Sequence, residues 1–120
     1  MIDKLGVKPG QVVSVLGVDD KAFLRDAEAR AELSVGRAKA GSDLIFFGAG
    51  KVADLKRLGA LMKAIRPEGS IWVVWKKGVP ALKEDHVRAA ALPLGLVDVK
   101  VVAFSETHSA LKLMIRKSRR

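Results

Sequence analysis

Gly48, Gly50 and Ala53 stand at G-x-G-x-x-A spacing directly after the apolar run Leu44-Ile45-Phe46-Phe47. Between a strand and a helix, glycines so spaced let the backbone approach a pyrophosphate at the helix N-terminus. The fingerprint also asks for an acid at the end of the next strand, to hold a ribose. That strand ends instead in Trp75-Lys76-Lys77. The motif therefore reads first as a tight strand-to-helix turn with close packing.

Other residues offer weaker chemistry. Gly17 and Val18 follow the first strand and lead into Asp19-Asp20, which cap a helix and make a poor cradle for phosphate. Glu106-Thr107-His108 forms a polar loop, but a Glu-x-His pair supplies two ligands where a zinc site needs more, so no metal is assigned. His86 lies on a charged helical turn and is expected to be exposed. Trp72 and Trp75 are three apart on one strand and so face opposite sides, Trp72 toward the core. Trp75, beside Lys76 and Lys77, is placed to stack on a flat ligand. No serine stands in a strained elbow, and no catalytic residue is assigned.

The elements that must position these residues are legible in order. Gln11 to Leu16 is a strand, Asp19-Asp20 to about Arg30 a helix, and Ala31 to Val35 a short strand followed by Gly36 and Arg37 without an acid. Leu44 to Phe47 is apolar without alternation, as in a strand buried on both faces. Val52, Leu55, Leu58, Met62 and Ile65 fall on one side of a long helix ending near Arg66-Pro67, with Glu68-Gly69 as a turn. Ile71 to Trp75 is another buried strand, and a third helix runs from about Ala81 to Leu92. Leu96 to Phe104 and Leu111 to Arg116 alternate and are joined by Ser105 to Ser109, an antiparallel hairpin. The expected fold class is α/β: a three-layer, Rossmann-like domain whose mainly parallel sheet closes with a C-terminal antiparallel β-hairpin. Carboxyl ends of parallel strands share one edge, where ligands bind in such folds. The candidate ligand edge gathers Gly17, Asp19, Gly48, Gly50, Trp75, Lys77, Thr107 and His108.

Composition narrows the classes. With 120 residues and 49% hydrophobic content, one domain with a real core is expected, residues 1–115, followed by a basic tail, 116–120. No cysteine is present, which excludes disulfides and thiolate metal sites. Met1 is followed by Ile2-Asp3-Lys4 and no apolar run long enough for a signal or membrane span, so a cytoplasmic protein with no membrane partner is expected. The net charge is +9, and residues 61–120 hold twelve Lys/Arg against five Asp/Glu. This makes nucleic acid a conceivable partner for the basic second half, though no recognition motif accompanies the charge and a solvated basic end is favoured.

The order of strands and helices resembles a shortened class I methyltransferase fold, and Ile65-Arg66-Pro67-Glu68-Gly69-Ser70-Ile71-Trp72-Val73-Val74 resembles that fold's entry into its fifth strand. A closer resemblance is to a family of small bacterial proteins of unassigned function. It is carried by Lys4 to Gly10, Ile71 to Trp75, Gly95 to Val101, and Glu106 to Lys112, with His108 and Lys76 standing where that family usually has tryptophan and proline. It implies a fold but no activity. The reduced glycine loop at Gly17 and the missing acid after the second strand lean against catalysis. The functional reading from sequence is thus a non-catalytic domain that binds an unidentified small molecule or protein. The alternative is an S-adenosylmethionine-dependent methyltransferase, and the third reading is sequence-independent nucleic-acid binding. No cofactor or oligomeric state is fixed by the residues alone.

Overall fold

A computed structural model describes residues 2–120. In chain order it contains β1 (Val12–Leu16), α1 (Lys21–Glu28), β2 (Glu32–Val35), β3 (Ser42–Gly48), α2 (Leu58–Ala64), β4 (Ile65–Lys76), α3 (Glu84–Ala91), β5 (Leu96–Ala103) and β6 (His108–Ile115), with 3-10 turns at Val52–Arg57, Leu92–Leu94 and Lys117–Arg119. The six strands form one sheet in the order β2-β1-β3-β4-β6-β5. The β1, β2, β3 and β4 pairings are parallel, whereas β6 is antiparallel to both β4 and β5. The α/β architecture with its closing hairpin is that expected from the sequence.

Alternation across the sheet divides the core in two. On one face Val13, Val15, Phe46, Trp72 and Val74 pack with Phe23 and Ala27 of α1 and with Leu5 and Val7 of the leading turn. The other face buries Ile45, Phe47, Ile71, Val73 and Trp75 under Leu58 and Leu61 of α2 and Val87 and Ala91 of α3. Helices on both faces make the three layers, and β3 is shielded on both, which is why its sequence is apolar without a period. No helix of the described residues is long and apolar enough to cross a membrane.

Three local expectations are corrected. The long helix after Gly50 is a 3-10 turn followed by the seven-residue α2, because Ile65 already pairs with Ser42 in the sheet. The turn expected at Glu68-Gly69 is part of β4, which bulges so that pairing resumes at Ser70 opposite Leu44. Arg66 in the bulge pairs with Asp43 at 2.7 Å, and the other Asp43 oxygen accepts from the Val12 amide at 2.8 Å. The bulge is thereby tied to β1 and β3 together. His86 is half-buried rather than exposed, since its Nδ1 accepts the Lys83 amide at the start of α3, at 2.9 Å.

Ser14 interrupts the apolar β1 for a physical reason. It is fully buried, its Oγ lies 2.7 Å from Ser42 Oγ, and it accepts the Lys39 amide at 2.9 Å. These contacts tie the β2–β3 loop to the middle of the sheet. Ser14→Ala would remove the partner of the Lys39 amide and a partner of the buried Ser42 hydroxyl, and we expect a loss of about 1–3 kcal/mol. Urea unfolding measures it, and a loss below a few tenths of a kcal/mol would mean the loop does not depend on this hydroxyl.

Candidate functional site

β1 leads through α1 to β2 on one side of the sheet, while β3 leads through α2 to β4 on the other. Chain order therefore reverses between β1 and β3. The helices leave to opposite faces, and a crevice opens beyond the carboxyl ends. A cavity of about 410 Å³ lies there, within the size range of small-molecule sites. Gly17, Val18, Asp19 and Asp20 line it from β1, Gly48 to Gly50 from β3, and Val74 and Lys76 from β4. Phe104, Thr107 and His108 close it from the hairpin.

The hairpin reaches this edge because β5 runs in the same direction as β4 with β6 between them. His108 pairs with Lys76, and the Lys77 amide donates to the Thr107 carbonyl at 2.9 Å. Ser105 Oγ accepts the His108 amide at 3.1 Å, which folds the loop over its own residues. Thr107 Oγ1 is 2.7 Å from His108 Nδ1 and fixes the imidazole plane.

Six of the eight candidate residues are thus brought together: Gly17, Asp19, Gly48, Gly50, Thr107 and His108. Trp75 and Lys77 are not. Trp75 is only 6% exposed and packs under α3, because its side of β4 is the α2/α3 face; with Lys77 it lines a separate shallow concavity. Lys76, one residue away, faces the cavity in its place, as do Val18, Asp20 and Phe104. Strand alternation alone separates Lys76 from its neighbours, but the sequence does not show which side the cavity takes.

The glycine turn does not offer its amides to a ligand. Asp54 Oδ2 accepts from Gly50 at 2.8 Å and from Lys51 at 3.2 Å. These amide bonds, Gly50's first, hold the Asp54 carboxyl below its usual range. A pyrophosphate would have to displace a carboxylate already bound there, so the G-x-G-x-x-A spacing serves a turn. Gly48 is required by contact instead: a Cβ there would lie 2.2 Å from the Gly17 carbonyl oxygen. Charge around the rest of the cavity is mixed. Asp20 is committed to capping α1 through the Phe23 amide at 3.0 Å. Among the described residues Asp19 has no hydrogen-bond or ion-pair partner. On the opposite wall stand Lys76 and His108.

Comparison with solved structures finds the same fold repeatedly. A SAM-dependent methyltransferase from Aquifex aeolicus superposes with a TM-score of 0.65 over 95% of this chain and 87% of its own, at 16% identity. The chain shares the Rossmann-like fold of that enzyme. A TehB-like SAM-dependent methyltransferase from Corynebacterium glutamicum gives 0.61 over 96% and 85% at 12% identity. A putative type 11 methyltransferase from Sulfolobus solfataricus gives 0.61 over 100% and 92% at 13%. Neither a protein-family model nor a curated protein matches the sequence. The likeness is therefore one of backbone fold, with little shared sequence.

The two glycines of the turn are separable by mutation. Gly48→Ala drives a methyl into the Gly17 carbonyl, and a loss of about 1–3 kcal/mol is expected from overpacking. Gly50→Ala meets only Asp54 Oδ2, at 3.7 Å, so stability should barely change. Equal effects in chemical denaturation would contradict this division.

Asp54 gives a pH test. Its folded pKa is below the ordinary 3.8, so its stabilisation is fully present above that value and is lost as pH falls through the folded one. Asp54→Asn should flatten this part of the acid-unfolding curve while leaving the curve near pH 7 parallel to the native one.

Proposed function

We propose that the cavity at the carboxyl edge binds S-adenosylmethionine and that the chain acts as a small methyltransferase-type domain. The observation that supports this reading is a crevice of about 410 Å³ at the β1/β3 reversal of a methyltransferase fold, with an unpaired carboxylate on one wall and a lysine on the other. The ligand it suits is zwitterionic. An anionic dinucleotide meets Asp19, Asp20 and amides already taken by Asp54, whereas a ligand with both cationic and carboxylate groups meets complementary charge. Asp19 would hold the cationic part, Lys76 the carboxylate, and Val18 and Phe104 the apolar part. Bound S-adenosylmethionine supplies an electrophilic methyl group.

A second reading, ligand binding without methyl transfer, draws support from the end of β2. Gly36 and Arg37 follow it, where an acid would otherwise meet a ribose. The resemblance to the small bacterial family suits either reading and adds no activity to them. A cytoplasmic site of action is the expectation of the cysteine-free sequence.

Calorimetry with S-adenosylmethionine is expected to give a micromolar Kd, with NADP silent. Asp19→Asn should weaken S-adenosylmethionine about tenfold, the scale of one charge-assisted contact. It should weaken S-adenosylhomocysteine less, because that ligand has lost the sulfonium charge. Trp75→Ala should leave both affinities unchanged. Silence toward S-adenosylmethionine would overturn the proposal. Transfer of a labelled methyl group to a component of a cell extract would decide for catalysis over binding alone.

A further inference from the structure

One row of side chains crosses the sheet on the α1 face. Val15 pairs with Phe46, Phe46 with Trp72, Trp72 with Lys112, and Lys112 with Lys100. The row changes from apolar to cationic where its cover ends. Phe23 of α1 meets Phe46 with ring centroids 4.8 Å apart, and Trp72 Nε1 donates to the Leu5 carbonyl of the leading turn at 3.0 Å. Beyond Trp72, the ammonium groups of two lysines lie over the indole ring. Lys100 Nζ is 5.9 Å and Lys112 Nζ 6.0 Å from the ring centroid.

This arrangement concentrates positive charge that no carboxylate of the described residues neutralises. Like charges directly opposite on neighbouring strands are destabilising. Among the described residues no ion pair includes Lys8, Lys100 or Lys112. Burial, then Lys100, then Lys8 lower the pKa of Lys112, so Lys112 feels the charge of both other lysines. The basic tail does not explain the patch. It folds as a 3-10 turn at the amino edge of the sheet, with Arg119 against Gly95 and Arg120 Nε donating to the Ile115 carbonyl at 2.8 Å.

We propose that the open face of the β5–β6 hairpin, through Lys8, Lys100 and Lys112, binds the phosphate backbone of nucleic acid without reading its sequence. Charge complementarity selects the partner. No carboxylate pairs with any of the three lysines among the described residues, and a duplex offers about one phosphate per 1.7 Å of its axis. Lysines act here as point charges on flexible stems, which suits a backbone and supplies no base readout. An anion bridging Lys100 and Lys112 would relieve their repulsion over the shared indole. The inference stands independently of what the cavity holds.

The test is fluorescence anisotropy of a labelled random-sequence duplex with the full chain, no cofactor added, across a salt series. Three lysine contacts predict a fall in affinity of about 40-fold between roughly 50 and 200 mM salt. In Lys100→Gln/Lys112→Gln the fall should shrink to about three- to fourfold, the slope dropping by about two. That variant loses an opposed pair of charges together with two cation–π contacts to Trp72, so its thermal unfolding is measured alongside, and a cooperative transition near the native temperature shows that the lost slope reports binding rather than folding. A salt slope unchanged in the double variant, or one lost only on deleting residues 116–120, would overturn the proposal. A double variant that loses polyglutamate but keeps the duplex would overturn it too, in favour of an acidic protein partner.

Discussion

The contact between Gly17 and Gly48 is the constraint on which the site depends. The Gly17 carbonyl occupies the space that a side chain on Gly48 would fill. Strands β1 and β3 can therefore run side by side to their last residues before their loops part to opposite faces. Gly17 also takes a positive φ of 70°, which turns the chain away toward Val18 and α1. The floor of the crevice is thus backbone against backbone, and its charged residues are set around a rigid seam.

The two edges of the sheet are built differently. At the amino edge, buried hydroxyls and the Asp43 carboxylate fasten β1, β3 and the β4 bulge to one another. These bonds satisfy the polar groups of that edge among themselves. At the carboxyl edge the helix-side amides are satisfied internally by Asp20 and Asp54. Around these amides stand the Asp19 carboxylate and the Lys76 and His108 side chains. An edge of this kind discriminates by charge, and it disfavours the polyphosphate ligands that the glycine spacing by itself suggests.

Burial on both faces also explains why the two tryptophans take structural places. Trp72 lies on the α1 face with its indole N–H satisfied by Leu5, and Trp75 lies beneath α3. An aromatic residue at the carboxyl end of a strand is not necessarily at the ligand edge, because alternation sends it to whichever core lies on its side. Phe104, with no such place assigned from sequence, is the aromatic side chain that reaches the cavity.

By itself the sequence determined the strand and helix order, the central place of β3 and the antiparallel hairpin. Each of these follows from local signals: unbroken apolar runs, alternation in Leu96 to Phe104, and glycine or proline at the turns. It also brought most of the edge residues together, since parallel strands must end on a common side. Only the tertiary structure decided the rest. The helix expected to run to Ile65 gives way to a strand because pairing with Ser42 across the sheet outweighs helical periodicity. Asp54 fills the amides of the glycine turn, a contact between residues whose separation suits either a cap or a free face. The exchange of Lys76 for Trp75 and Lys77 at the cavity follows from which face of β4 each helix covers. That is a non-local fact, fixed by where chain order reverses and not by any residue in β4.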